Sequence, residues 1–434
     1  MYYDYKVFIY GNFTYRRDLE KDSFVEVLRR LIPYLSKRKS IHFTILVPQN
    51  IESIDYPNVE QRLYNFPTYP NLMRQHFDTD EFLSHIDWRR NDFDVIYSHL
   101  PEHTSQIANT LYNFTNINAD IVGYSHWFEV EENSSQKKYN IDFPITSFNQ
   151  QILGTLFMKE MGVNSNWLKQ KILKDASKNF SKEIIEKLDK IIQPHYLGVD
   201  RIKTRKAYKD KTIVFNHRGN EYTGVNWFVK TMDKLWEKRQ DFKVYTTLTD
   251  IDKEWNERVD LSNRDDYMDF LSNVKFGVGC FERYSAWSIS TTDGLSVGVP
   301  YLLPRDLCYE EMLNDKNYPY FYKGRDEFAT KVEEMLDTET LYDTSHIVKE
   351  MEWDSRFDKW FNGWKFFDEI PYVKETDILK KITKFIRTQG STTKREIMEY
   401  NGNWGMRVKF NTYRSALRNN KNIKFTKDTY EWVG

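Results

Sequence analysis

Arg407, Asn411, Arg414 and Arg418 recur at helical spacing near the end of the chain. Guanidinium and amide groups on one stripe suit a phosphate backbone and base edges. Met406, Phe410, Tyr413 and Leu417 form an apolar stripe at the same spacing. Residues 377–434 around them carry thirteen Lys+Arg against five Asp+Glu, a balance of +8, whereas the rest of the chain balances at −9. A basic module is thus joined to an acidic body, and the asymmetry points to a polyanionic partner for the module. Chemistries that announce themselves by spacing are missing. There is no Cys/His cluster of zinc type, no phosphate-cradling Gly-x-x-x-x-Gly-Lys loop and no Gly-x-Ser-x-Gly elbow. Glu310-Glu311 reads as surface charge, with a place at a cleft left open because it follows the strand at Pro304. Cys280 and Cys308 are too few for a disulfide framework.

The elements that must position such groups alternate along the chain. Apolar runs at Tyr5–Tyr10, 42–47, 94–100 and 120–127 read as strands separated by helical or polar stretches. The theme repeats with strands at 212–216, 242–247, 276–281 and 301–303, and helices at 225–236 and 267–274. Such alternation predicts parallel sheets covered on both faces, in two Rossmann-like domains that face a cleft and join near residue 200. Ligands are then expected beyond the carboxyl ends of the strands. His99 stands at one strand end, and Gly11 follows the first strand, where a tight turn needs a glycine. The Trp-rich segment 352–364 reads as a helix packed on the body. An apolar share of 40% in 434 residues supports real cores. No apolar run reaches membrane-spanning length and no signal-type segment opens the chain, so the expected setting is a reducing cytoplasm without a membrane partner.

Three segments carry a resemblance. Pro194-His195-Tyr196-Leu197-Gly198-Val199-Asp200 is similar to the P-x-x-x-G-V-D signature of retaining GT-B glycosyltransferases, the family that includes glycogen and sucrose synthases. Ile213-Val214-Phe215-Asn216-His217-Arg218 resembles the first strand of that family's nucleotide-sugar domain, which ends at a diphosphate-binding Arg. The family's following Lys-Gly reads Thr223-Gly224, so a second phosphate cation is missing or supplied elsewhere. Ser285 to Pro300 resembles two Glu separated by seven residues and then A-x-x-x-G-x-P. Asp293 falls on the second Glu, which implies contact with the ribose hydroxyls, and Ser285 replaces the first. The resemblance implies a donor site of Arg218, Ser285, Asp293 and Gly294, with the backbone N–H groups of a helix start facing the anionic donor; Gly11, after the first strand, is expected to approach either the donor's diphosphate or the acceptor. It also implies a His at the transferred sugar: His126 in Gly123-Tyr124-Ser125-His126-Trp127, or His99. The family requires no metal, and the expected donor is a nucleotide sugar, UDP-glucose. The expected domains are 1–195 on the acceptor side, 196–370 for the nucleotide sugar, and 377–434.

The last domain reads as a helix ending at Gly390, a capping box Thr393-Lys394-Arg395-Glu396, a helix after Gly405, and a hairpin through Ile423, Phe425, Tyr430 and Trp432. Three helices and a hairpin resemble a winged helix-turn-helix. Joined to a nucleotide-sugar domain, it implies duplex DNA as acceptor: a phage-type enzyme, at work in the host cytoplasm, placing a hexose on a 5-hydroxymethylpyrimidine with retention. Two other readings stand beside it. One is a glycosyltransferase acting on a polysaccharide or protein with the tail as docking module; the other is a non-catalytic DNA-binding regulator on the same scaffold.

Overall fold

The computed structural model describes residues 5–11, 13, 23–36, 41–48, 58–66, 76–87, 93–125, 127–130, 143–200, 211–261, 263–282, 284–363, 375–393, 396–397, 417, 420–426 and 429–433. They fall in two compact units, one of 1–123, 157–159 and 361–434, the other of 124–156 and 160–360.

The first sheet, in the first unit, comprises β1 (Tyr5–Tyr10), β2 (Ile41–Val47), β3 (Val59–Leu63), β4 (Val95–Ser98) and the start of β5 (Asp120–Ser125), in the order β3-β2-β1-β4-β5; in the second unit β6 (Glu160–Val163) pairs in parallel with β7 (Ile192–Pro194). In the first unit β1 pairs in parallel with β2 and β4, β2 with β3, and β4 with β5 up to Gly123. The strand order reverses between β1 and β4. Gly11 and His99 follow those two strands, and His99 N–H donates to the Tyr10 carbonyl (2.9 Å).

The second sheet lies wholly in the second unit. Its strands are β8 (Thr212–Phe215), β9 (Lys243–Thr246), β10 (Asn256–Arg258), β11 (Phe276–Val278), β12 (Tyr301–Pro304) and β13 (Phe321–Tyr322), ordered β10-β9-β8-β11-β12-β13 with every neighbouring pair parallel. The strand period of two divides the side chains between two cores. Ile213, Phe215 and Leu302 enter one with Phe228 and Phe328; Val214, Tyr301 and Leu303 enter the other with Leu295 and Tyr309. Burial on both faces is why these strands are apolar without alternation. The expected strand 276–281 ends at Val278, and the residues beyond it form a loop.

The Trp-rich helix spans Trp353–Gly363 and packs as expected. Trp360 is 2% exposed, stacks on Tyr124 and His195, and donates its indole N–H to the Tyr196 carbonyl (3.0 Å). Val199 of the Gly-Val-Asp segment pairs with the start of this helix, its N–H donating to Met351 and its carbonyl accepting from Trp353.

In the tail, the helix Glu375–Gln389 ends at Gly390, which takes the left-handed φ of +73°. A strand that the sequence did not predict follows: β14 (Ser391–Thr393). It pairs antiparallel with β16 (Thr429–Trp432), which pairs with β15 (Ile423–Thr426). Ile382, Ile386, Ile397, Leu417, Ile423 and Tyr430 form one core. The capping box is made reciprocally: Thr393 N–H donates to Glu396 Oε2 (2.7 Å), and Glu396 N–H to Thr393 Oγ1 (3.2 Å). Arg407, Asn411, Arg414 and Arg418 lie outside the described residues.

Candidate active site

In an open parallel sheet the ligand crevice forms where the strand order reverses, outside the carboxyl ends. In the second sheet that point lies between β8 and β11. Three sets of interactions cross it. Asn216, just after β8, donates from Nδ2 to the Ser290 carbonyl and to the Tyr267 hydroxyl, 2.8 Å each. His217 Nε2 donates to the Val278 carbonyl at 3.0 Å. Gly224, at φ +73°, brings the next helix (Val225–Lys238) against the Cys280 carbonyl, which also accepts from the Trp227 indole at 3.2 Å.

Arg218 stands exposed on the loop these interactions hold. Thr223 closes that loop: its hydroxyl oxygen lies 2.7 Å from the carbonyls of both Arg218 and Asn220, so its proton is spent within the turn. Across the switch point the helix Ile289–Ser296 is capped by Ser288, whose Oγ accepts from Thr291 N–H (3.2 Å). The cap reaches the third residue only. Helix geometry leaves the N–H groups of Ile289 and Ser290 without intrahelical acceptors, and both residues are partly exposed. Arg218 and these N–H groups together offer a charge and a dipole of the sign an anion needs.

The other expected donor-site residues lie deeper. Asp293 is 6% exposed, and its Oδ1 accepts from Arg264 at 2.8 Å. A Cβ on Gly294 would overlap the Tyr301 hydroxyl and its ring edge, so the absence of a side chain lets that ring pack closely against the helix. Ser285 is 3% exposed, with Oγ 3.1 Å from the Tyr309 hydroxyl. Glu311 departs from its surface reading. It is half-buried, and its carboxylate accepts from the N–H groups of Asn166 (2.6 Å) and Trp167 (3.0 Å) and from the Tyr196 hydroxyl (2.6 Å). It caps the helix Asn166–Ala176, a fixed task that takes it out of any acid–base pair with the exposed Glu310. Arg264 and Tyr267 carry no motif that marks them in the sequence, although Arg264 leaves a trace there as a cation leading an acidic helix start; Asn216 and His217 stand inside the segment that resembles the family's first strand, but no role was read for either.

His217 is buried, and burial pushes its imidazole from 6.5 down to about 4. Between about pH 4 and 6.5 the ring is neutral when folded and takes a proton on unfolding. Its contribution to stability is therefore complete above pH 6.5 and is lost as pH falls toward 4; the full difference is about 3 kcal/mol. Between pH 7 and pH 4, urea midpoints should fall less for His217→Gln than for the parent. Equal losses would assign the acid sensitivity to other groups.

No family model matches this sequence, and no curated protein is similar to it. Solved structures do share its architecture. A glycosyltransferase from Rickettsia africae ESF-5 superimposes on 85% of this chain and 100% of its own, with a TM-score of 0.59 at 13% identity. Sucrose-phosphate synthase from Thermosynechococcus elongatus covers 84% of this chain and 99% of its own, with a TM-score of 0.61 at 9% identity. The fold is that of the GT-B glycosyltransferases. A third GT-B structure, Anabaena HepE in complex with UDP and glucose, covers 83% of this chain and 99% of its own, with a TM-score of 0.56 at 8% identity.

In the first sheet His99 is 3% exposed and Gly11 is buried, each following its strand, β4 and β1, which pair in register. His103 Nδ1 and the Tyr10 hydroxyl are 2.9 Å apart in the same interior. His126 lies outside the described residues. Its chain neighbours do not: Ser125 Oγ donates to the Trp127 carbonyl (2.8 Å), and the Trp127 ring meets Tyr284 edge-on at 5.6 Å, one residue before Ser285. Among the described residues no helix is long and apolar enough to cross a membrane.

Proposed function

We propose that this chain is a nucleotide-sugar-dependent glycosyltransferase that moves glucose from UDP-glucose to the hydroxymethyl oxygen of a 5-hydroxymethylpyrimidine in duplex DNA. The bond from the anomeric carbon to the diphosphate oxygen breaks, a bond to the hydroxymethyl oxygen forms, the hydroxyl proton is released, and UDP leaves. Retention follows the family resemblance. The donor half rests on the switch point of the second sheet, where Arg218 and the start of the helix Ile289–Ser296 can stabilise the departing diphosphate. HepE, of the same fold, was solved with UDP-glucose. The acceptor half rests on one observation, the +8 balance of residues 377–434. The order helix, β14, then hairpin around one core supports a winged-helix reading of that module, with Arg407, Asn411, Arg414 and Arg418 on the DNA. The target base has to leave the stack to react.

Mass spectrometry of nucleosides from hydroxymethylated DNA, incubated with the enzyme and a panel of nucleotide sugars, tests this directly. A hexosylated pyrimidine is expected; transfer to a polysaccharide or protein instead would move the acceptor. Two substitutions probe the donor half. Arg218→Ala removes a charge-assisted interaction worth roughly 1.5–3 kcal/mol, so UDP affinity should fall about tenfold to a hundredfold by calorimetry, and Asp293→Ala should weaken it too. Equal affinities across parent and variants would dismiss the assignment. For the chemical step, His126 is assigned to the transferred sugar, as the family resemblance implies; the neighbouring Trp127 ring, which meets Tyr284, supports a location near the segment that includes Ser285. His126→Ala should cut turnover strongly while UDP binding persists. Unchanged turnover would pass the role to His99.

A further inference from the structure

Arg264 opens the helix Arg264–Ser272, and that is the wrong end for a cation, because the helix dipole is positive there. Asp265 and Asp266 follow it and suit the dipole; Arg264 does not. Its backbone cannot shift to escape. Asn263 and Asp266 cap the helix reciprocally, Asp266 N–H donating to Asn263 Oδ1 (2.9 Å) and Asn263 Nδ2 to Asp266 Oδ2 (2.7 Å). The guanidinium instead reaches two carboxylates: Arg264 Nη2 lies 2.8 Å from Asp293 Oδ1 and 3.3 Å from Asp200 Oδ2. Asp293 is nearly buried, and a carboxylate so placed is costly without an opposite charge. Asp200 is anchored in turn, because the preceding Val199 is pinned to Met351 and Trp353 by backbone hydrogen bonds. Tyr267, one turn along from Arg264, holds Asn216 at the end of β8. One side chain thus ties together the Gly-Val-Asp segment, the helix Arg264–Ser272 and the helix bearing Asp293.

We infer that Arg264 is a positioning residue for the donor site: clamped by Asp200, it fixes the Asp293 carboxylate in the orientation that accepts from the ribose hydroxyls of the nucleotide. This rests on the donor reading of Asp293. A simple aspartate on a helix has rotamers to choose from, and ordering it beforehand removes that cost from binding. The assignment also gives Asp200, the last residue of the signature segment, a task in the donor site that it performs without touching the donor.

The test compares UDP with 2′-deoxy-UDP by calorimetry on the full chain. The parent should prefer UDP by about tenfold or more, since the deoxy form has no hydroxyl there to donate to the carboxylate. Asp293→Asn should erase that preference. If Arg264 positions the carboxylate, Arg264→Gln should erase most of it as well, Arg264→Lys should restore part, and Asp200→Asn should lower it with both Arg264 and Asp293 intact. A merely structural loss would weaken both nucleotides equally and leave the ratio alone. A parent-like ratio in folded Arg264→Gln and Asp200→Asn, with Asp293→Asn erasing it, overturns the inference and spares the donor reading. A parent with no preference, or one that survives Asp293→Asn, overturns both.

Discussion

Replacing Gly224 by alanine is expected to cost roughly 3 kcal/mol or more and to abolish UDP binding. Two effects add. The left-handed φ of +73° costs a non-glycine residue roughly 1–2 kcal/mol. The new methyl would also overlap the carbonyl oxygen of Cys280, a main-chain atom that no rotamer change can clear. Relief would require the helix Val225–Lys238 to draw back from the loop after β11, parting Trp227 from Cys280 and opening the switch point where Arg218 is held. Gly324→Ala provides the control. Its φ of +76° is equally strained, but nothing lies within 4 Å of the added carbon. That variant should lose only the backbone part and bind UDP like the parent. Urea denaturation and calorimetry on both would decide, and a Gly224→Ala protein as stable as Gly324→Ala would show that the close approach is not needed.

Converting Arg407, Arg414 and Arg418 together to alanine should lower the slope of log DNA affinity against log salt by roughly three, about one for each phosphate no longer neutralised. Modification of long duplex DNA at physiological salt should drop by about two orders of magnitude or more, while UDP affinity stays put. The separation is expected because Arg218 and Asp293 belong to the second compact unit and residues 361–434 to the first. Base preference should barely change, since phosphate contacts fix register and carry no sequence. An unchanged salt slope with unchanged modification would end the DNA-recruiting role.

Legibility in the sequence followed burial and distance along the chain. Strands such as β1, β8 and β12 are buried on both faces, and their apolar runs could be read directly. β3, with the sequence Val-Glu-Gln-Arg-Leu, and β10, Asn-Glu-Arg, sit at the edges of their sheets, where one row of hydrogen bonds and little burial leave no pattern. β14 is three polar residues whose strand character comes only from pairing with β16, far along the chain. The capping box at Thr393 was readable because both partners lie within one turn. The loop Arg218 and the helical Asp293 were reached through resemblance. The clamp that holds Asp293 was not, because Asp200 and Arg264 are 64 positions apart and meet only after folding. Ser285 was singled out by its motif position; that its hydroxyl lies 3.1 Å from the Tyr309 hydroxyl, 24 positions on, could not be read there.

Glu311 also has a consequence for synthesis. The helix Asn166–Ala176 caps its third N–H with its own Ser165, but its first two N–H groups wait for a carboxylate supplied 145 positions later. At a ribosomal pace of about 5–20 residues per second, that interval is roughly seven to thirty seconds. Until the segment after β12 is made, those two N–H groups lack the carboxylate that caps them in the folded chain.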